Sequence, residues 1–250
     1  GGEVDGKYIL GAFIAGDLED PATGGRGMKL LEEASNEGSA SASLLLSRIH
    51  AGEGNRFMAV RMLRRASDQN HPDALLMMGI LMLEGDPYVE QDPEAAAGLL
   101  QRAMELGNQE AMWTLGSMYL YGIGVPLDLD LAREYLEDGA EHDYTVSVLN
   151  LGMIHYQGLG VEKDPREAMR LFEHASKLGS REALTNMAVM YATGDGVKKD
   201  VEKARELLTK AKYLGEPRAG RNLDVLDNNI DGVKLTLSFG GKIRELRFEK

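Results

Sequence analysis

A string of the form Gly-x-Gly-Val returns every 36 residues, as Gly122-Ile-Gly-Val125, Gly158-Leu-Gly-Val161 and Gly194-Asp-Gly-Val197. A fixed period of that length is the mark of a stacked array, because each unit is too small to bury its apolar face alone. Each string is followed at one offset by an acid, Asp128, Asp164 or Asp200, and preceded by Leu115-Gly116, Leu151-Gly152 or Met187-Ala188. A second apolar pattern then closes on glycine, as in Ala175…Gly179 and Ala211…Gly215. Gly38 and Gly107 close earlier units, and Asn70 stands where a glycine is expected. Asparagine is the other residue that readily takes the left-handed conformation ending a helix.

These spacings predict a repeated helix–loop–helix. The Asp after each loop sits where an N-cap would satisfy free amides of the following helix. In Asp92-Pro93 and Asp164-Pro165 the proline falls at the first helical position, where its missing N–H costs nothing. Small residues recur where helices would approach, at Ala111, Ser147 and Ala183 in the first helix and Ala132, Ala168 and Ala204 in the second.

The segments Leu115-Gly-Ser-Met-Tyr119…Gly122-Ile-Gly-Val125…Asp128, Leu151-Gly-Met-Ile-His155…Asp164…Ala168 and Met187…Tyr191…Gly194-Asp-Gly-Val197…Asp200…Ala204 resemble Sel1-like repeats, which are tetratricopeptide-like. The resemblance covers about residues 4–215 of a solenoid placed at 1–215, in units at about 4–38, 39–70, 71–107, 108–142, 143–179 and 180–215. It implies an all-α fold, a right-handed α-α superhelical solenoid of about six repeats. The unit at 71–107 carries one extra loop residue, the unit at 39–70 is shortened, and the fourth ends in Gly139-Ala140 where others place alanine. After the repeats, residues 216–230 read as a capping helix, with Leu223 and Leu226 available to cover the last unit. Residues 231–250 read as a β-hairpin turning at Gly240-Gly241, whose free edge is open to strand addition by a partner.

The net charge of −12 argues against a nucleic-acid partner, which needs clustered Lys and Arg. The longest apolar run, Ala74 to Leu83, falls short of the ~20 residues that cross a bilayer, so direct membrane insertion is not expected. The first residues hold neither a starting Met nor a signal-like stretch; a targeting segment removed upstream remains compatible, and the compartment is unassigned. No cysteine is present, which removes thiolate metal sites and Cys nucleophiles. The five histidines show no paired ligand spacing, and the Gly-x-Gly loops lack the Gly-Lys-Ser/Thr ending of a phosphate loop. No catalytic residue, metal site or cofactor is expected.

Function is therefore sought on a surface. In the fourth unit, Ala111, Met112, Leu115, Met118 and Tyr119 gather on one side of the first helix, and Trp113, Thr114, Ser117, Leu120 and Tyr121 on the other. By the tetratricopeptide-like resemblance, the second side is the concave, ligand-facing one. The same side carries Leu76, Met77 and Ile80 in the third unit, Leu149, Asn150, Met153 and Tyr156 in the fifth, and Asn186 in the sixth. In the second unit it reads Ser43, Leu44, Ser47, His50 and Ala51. A groove rich in Trp, Tyr, Met and Leu, with Asn150 and Asn186 able to bond a peptide backbone, predicts a site for another protein or peptide. A second candidate is the acidic stretch Asp128, Asp130, Glu134, Glu137, Asp138 and Glu141, suited to steering a basic partner. The function expected is a non-enzymatic adaptor or scaffold; the alternative is a dedicated inhibitor or immunity-type protein that blocks one enzyme or toxin.

Overall fold

In the computed structural model, residues 2–15, 21–228, 235 and 237 are described. Their helices run in chain order, paired as α1 (Gly2–Ala15) with α2 (Pro21–Asn36), α3 (Ala40–Gly52) with α4 (Arg56–Asp68), and α5 (Pro72–Glu84) with α6 (Pro93–Glu105). Next come α7 (Gln109–Tyr121), α8 (Leu129–Glu141), α9 (Thr145–Gln157), α10 (Pro165–Lys177), α11 (Arg181–Thr193), α12 (Val201–Tyr213) and α13 (Pro217–Asn228). Every helix from α3 to α12 has 13 residues, a length of about 20 Å. Second helices also pack on the first helix of the following pair, α2 on α3, α4 on α5, α8 on α9 and α10 on α11, which is how an α-solenoid is assembled. The β-hairpin expected at 231–250 lies outside the described residues, apart from Leu235 and Leu237, which are in neither helix nor strand. Among the described residues no strand forms.

The chain divides into two compact units, residues 1–112 and 113–250, with the division inside α7. In the first, Leu31, Ala34, Ala42, Leu46 and Met62 form one core, and Leu44, Val60, Leu63, Ala66, Ala74, Met78 and Val89 form another. In the second, Leu115, Met118, Leu136, Ile154, Phe172 and Met190 are buried completely or nearly so. The recurrent small residues Ala111, Ser147, Ala183, Ala132, Ala168 and Ala204 are all fully buried.

Local chemistry explains the regularity. The carboxylates of Asp92, Asp128, Asp164 and Asp200 each accept a backbone N–H in the first turn of the helix they precede. The N–H of the same capping Asp donates back to the first helix of its unit, Asp128 to Tyr119 O, Asp164 to His155 O and Asp200 to Tyr191 O. That bond closes the loop and requires the two glycines to turn left-handed, Gly194 and Gly196 having φ of 81° and 75°. Asn70 adopts φ 58° where a glycine was expected. Asp143 does likewise at φ 57° in the register of Gly107 and Gly179, a substitution that the sequence pattern did not single out. Outside this scheme, α13 buries Ala219, Asn222 and Val225, while Leu223 and Leu226 are only half-buried.

The extra loop residue of the third unit is absorbed by a tight turn. Asp86 and Val89 exchange backbone hydrogen bonds of 3.1 and 3.0 Å, and Val89 turns inward. Arg56 at the start of α4 ties down Asp86 at 2.7 Å, and Phe57 meets Tyr88 edge to face at 5.7 Å. Burial would push the Asp86 carboxyl up, but the Tyr88 N–H and the Arg56 guanidinium together hold it below the usual carboxylate range.

Candidate functional site

The predicted partner residues fall into both units, and most of them are interior. In the second unit Leu120, Tyr121, Leu149, Asn150, Met153 and Asn186 are buried; in the first, Leu76 is. The expectation of an open apolar face is corrected at these seven positions. The physical reason is that the first helices stack on one another along that side. The Tyr121 hydroxyl donates to Asn150 Oδ1 at 2.9 Å, and Asn150 Nδ2 donates to Ser117 Oγ at 2.9 Å, which joins α7 to α9. One repeat on, Asn186 Nδ2 lies 3.6 Å from Met153 Sδ, joining α9 to α11. The two asparagines that were expected to bond a peptide backbone bond the protein itself.

Trp113 is half-buried and leans on the second helix of its own unit. Its ring lies 4.9 Å from that of Tyr144 and 5.5 Å from that of His142, and Nε1–H donates to Asp138 Oδ2 at 3.3 Å. This contact explains the odd glycine of the fourth unit. A Cβ at Gly139 would come within 2.3 Å of Ser147 Oγ and 2.9 Å of Trp113 Cγ, so the alanine of the other units does not fit. Tyr156 is half-buried beneath Lys163, whose Nζ stands 5.3 Å from the ring and 3.0 Å from Asp195. Burial first, and then Asp195, pushes the Tyr156 hydroxyl up to about 12.

The acidic stretch is used in two ways. Asp128 caps α8, and Asp138 holds Trp113 and His142, so both serve the fold. Asp130 pairs with Arg133 at 3.1 Å, Glu137 lies 3.7 Å from the same guanidinium, and Glu134 and Glu141 are exposed. The histidines are scattered: His50 meets Glu53, His142 meets Asp138 and His174 meets Asp143.

The remaining predicted residues, Met77 and Ile80, are half-buried and line a cavity of about 220 Å³ in the first unit. Its floor is Ala59, Val60 and Leu63 of α4; its walls are Ser47 and Ala51 of α3 and Met77, Ile80 and Leu81 of α5. Arg48 and Arg56 stand at the rim. Ser47 Oγ donates to Ala59 O at 2.8 Å, so the one hydroxyl in the wall is spent on the backbone and the lining is effectively apolar.

The register of α3 shows why a cavity opens here. Ser39 caps α3 and puts Ala42 in the place of Ala74 and Ala111, all fully buried. Ser47 then stands where Gly79 and Gly116 stand, a position at which the first helix crosses a carbonyl of the second: Ala59, Ala96 or Ala132. This shifts the repeat at 39–70 by one residue from the alignment expected, so its stacking side carries Leu44, Leu45, Arg48, Ala51 and Gly52. Gly52 occupies the place of Tyr121, Ala51 that of Leu120 and Arg48 that of Ser117. Across the stack, Met77 occupies the place of Asn150. Leu→Ala and Tyr→Gly truncations remove the atoms that would fill the space, and nothing lies within 4 Å of a Cβ built at Gly52. The pairing of Arg48 with this cavity was missed because Gly52-Glu-Gly54 imitates the Gly-x-Gly loop and sets the register one residue off: Gly52 is the last residue of α3, and Gly54, not Gly52, turns left-handed, at φ 76°.

Residues 51–71, 72–108, 109–144, 146–180 and 181–216 each match the Sel1 repeat. Over 79 residues the chain is 35% identical to the ERAD-associated E3 ubiquitin-protein ligase component HRD3A of Arabidopsis thaliana, covering 32% of this chain and 12% of that protein. Component HRD3B of the same plant is 37% identical over 79 residues, 32% of this chain and 13% of that one, so the match spans about an eighth of either relative. Among solved structures, a Sel1 repeat protein from Oxalobacter formigenes is similar with a TM-score of 0.73 and 21% identity, over 98% of this chain and 96% of that one. A protective antigen of uropathogenic Escherichia coli gives a TM-score of 0.67 and 24% identity, over 94% and 51%. At these identities the two structures bear on the fold alone.

Proposed function

The chain belongs to the Sel1 repeat family, and from that premise we propose that it is a non-enzymatic adaptor that holds a partner protein through the apolar cavity between α3 and α5. The observation that carries this reading is the cavity itself. Along α7, α9 and α11 Leu120, Tyr121, Leu149, Asn150, Met153 and Asn186 are buried on this side, with Trp113 and Tyr156 half-buried, while Met77 and Ile80 line an open cavity. Accessible apolar concavities of this kind are where interfaces seat an anchoring side chain. The Arabidopsis relatives are named as components of a ubiquitin-protein ligase, which is in keeping with a part in an assembly.

The test is affinity capture with two baits, the natural chain and Ile80→Glu, with captured proteins identified by mass spectrometry. The expected result is one or a few proteins held by the natural chain and lost from the variant, whose thermal unfolding is unchanged. Equal capture by both baits sinks the cavity as the site. A single enzyme that is captured and inhibited by the natural chain would make the protein a dedicated inhibitor instead.

A further inference from the structure

The chemistry of the rim narrows what the cavity accepts. Resting on the adaptor reading above, we propose that the occupant is one large aliphatic or aromatic side chain of a partner segment, flanked in that segment by aspartate or glutamate.

Size argues for a side chain and against a whole small ligand. Cavities that enclose small molecules run to about 300–1,000 Å³; this one is about 220 Å³. The lining argues for an apolar group. Val60, Leu63, Met77, Ile80 and Leu81 supply hydrocarbon, and Ser47 is already bonded to Ala59 O. A polar side chain seated here would leave water without regaining a hydrogen bond.

Charge argues for acids beside it. The protein carries −12 overall, yet residues 39–70 hold Arg48, Arg56, Arg61, Arg64 and Arg65 against only Glu53 and Asp68. Two of these arginines, Arg48 and Arg56, line the cavity. Arg56 is held by Asp86 at 2.7 Å, while Arg48, exposed and also lining the cavity, stands one helical turn before Gly52. An acidic segment crossing the mouth passes within reach of Arg48, whose charge attracts it. A basic segment meets the reverse. The local charge beside the cavity thus favours an acidic partner segment.

Selection of a phage-displayed dodecapeptide library on the immobilised full chain tests this, with parallel selection on Ala51→Trp. Ala51 is exposed at the end of α3, so tryptophan there blocks the mouth without entering a core. The expected result is enrichment of peptides with one Leu, Ile, Met or Phe beside at least two acids, lost on Ala51→Trp. Affinity of the selected peptide is expected to fall at least about tenfold on Arg48→Glu. It should also weaken as salt rises from about 50 to about 300 mM. Peptides lost on Ala51→Trp but neutral or basic overturn the acidic inference and leave the cavity as the site. Enriched peptides that bind Ala51→Trp equally well, or no enrichment at all, overturn the inference together with the reading on which it rests. A natural chain that dimerises in solution, returned to monomer by Ala51→Trp, overturns it in favour of a second copy as occupant.

Discussion

Between α7 and α9 the Tyr121 hydroxyl and the Ser117 hydroxyl both reach Asn150, whereas between α3 and α5 the same places hold Gly52, Arg48 and Met77. The backbones are alike: 13-residue helices, and a small residue where the first helix crosses the second. What differs is whether side chains finish the stack. At α7 and α9 they do, and the side becomes interior. At α3 and α5 they do not, and a cavity opens with arginines at its rim. Repeat proteins keep the scaffold through caps and turns, which leaves stacking positions free to be core in one repeat and surface in another.

The largest effect should come from breaking the closed stack. Asn150 has no exposed surface and satisfies both Tyr121 and Ser117. Asn150→Ala leaves two buried hydroxyls without that partner and removes volume, and it is expected to cost about 3 kcal/mol in urea unfolding. A loss below about 1 kcal/mol would show that the bridge is ornamental and that the closed and open stacks differ less than their geometry implies.

Trp113 comes next, and it separates core from surface at the edge of the same stack. Its ring packs on Tyr144 and His142 and lies against Gly139. Trp113→Ala is expected to lower unfolding free energy by about 2 kcal/mol, below the range for a fully buried ring because one part is open to solvent. Partner capture per folded molecule should be unchanged. If stability holds and capture is lost, Trp113 belongs to the binding surface and the first-unit cavity is not the main site.

Much of this was legible in the sequence, and the misses have physical causes. The 36-residue period, the Asp caps and the left-handed Asn70 follow from local backbone chemistry, which a sequence carries directly. The face of α7 that holds Leu120 and Tyr121 was expected to be open because periodicity separates the two sides of a helix but does not say what covers either. A signal was present: α9 and α11 offer Ser147, Val148, Leu149, Asn150, Leu151, Gly152 and Ala183, Leu184, Thr185 in unbroken runs without a charge. A helix with no charged side is covered all round. By contrast α10 and α12 keep Arg170, Glu173, Glu206 and Lys210 outward, as one-sided helices do. Gly139 was visible as a departure, but its cause lies in Trp113, 26 residues earlier, and only the packing joins them.

The finest test asks whether the two stacks are truly in the same register. If Gly52 and Met77 stand where Tyr121 and Asn150 stand, then Gly52→Tyr with Met77→Asn should rebuild the missing hydrogen bond. Gly52 closes α3 outside the left-handed region, and a Cβ there meets nothing within 4 Å, so the tyrosine enters without strain. Alone it should change stability by less than about 0.5 kcal/mol, since its hydroxyl finds only Met77. Met77→Asn alone should cost about 1 kcal/mol, as a half-buried thioether is exchanged for an unsatisfied amide. Together they should fall short of the summed losses by about 1 kcal/mol, the net worth of one intramolecular hydrogen bond. The double variant should also fill the cavity and release whatever partner the natural chain holds. Coupling near zero in the urea-unfolding cycle would mean that α3 and α5 approach differently from α7 and α9, and the cavity would need another origin than a tyrosine reduced to glycine.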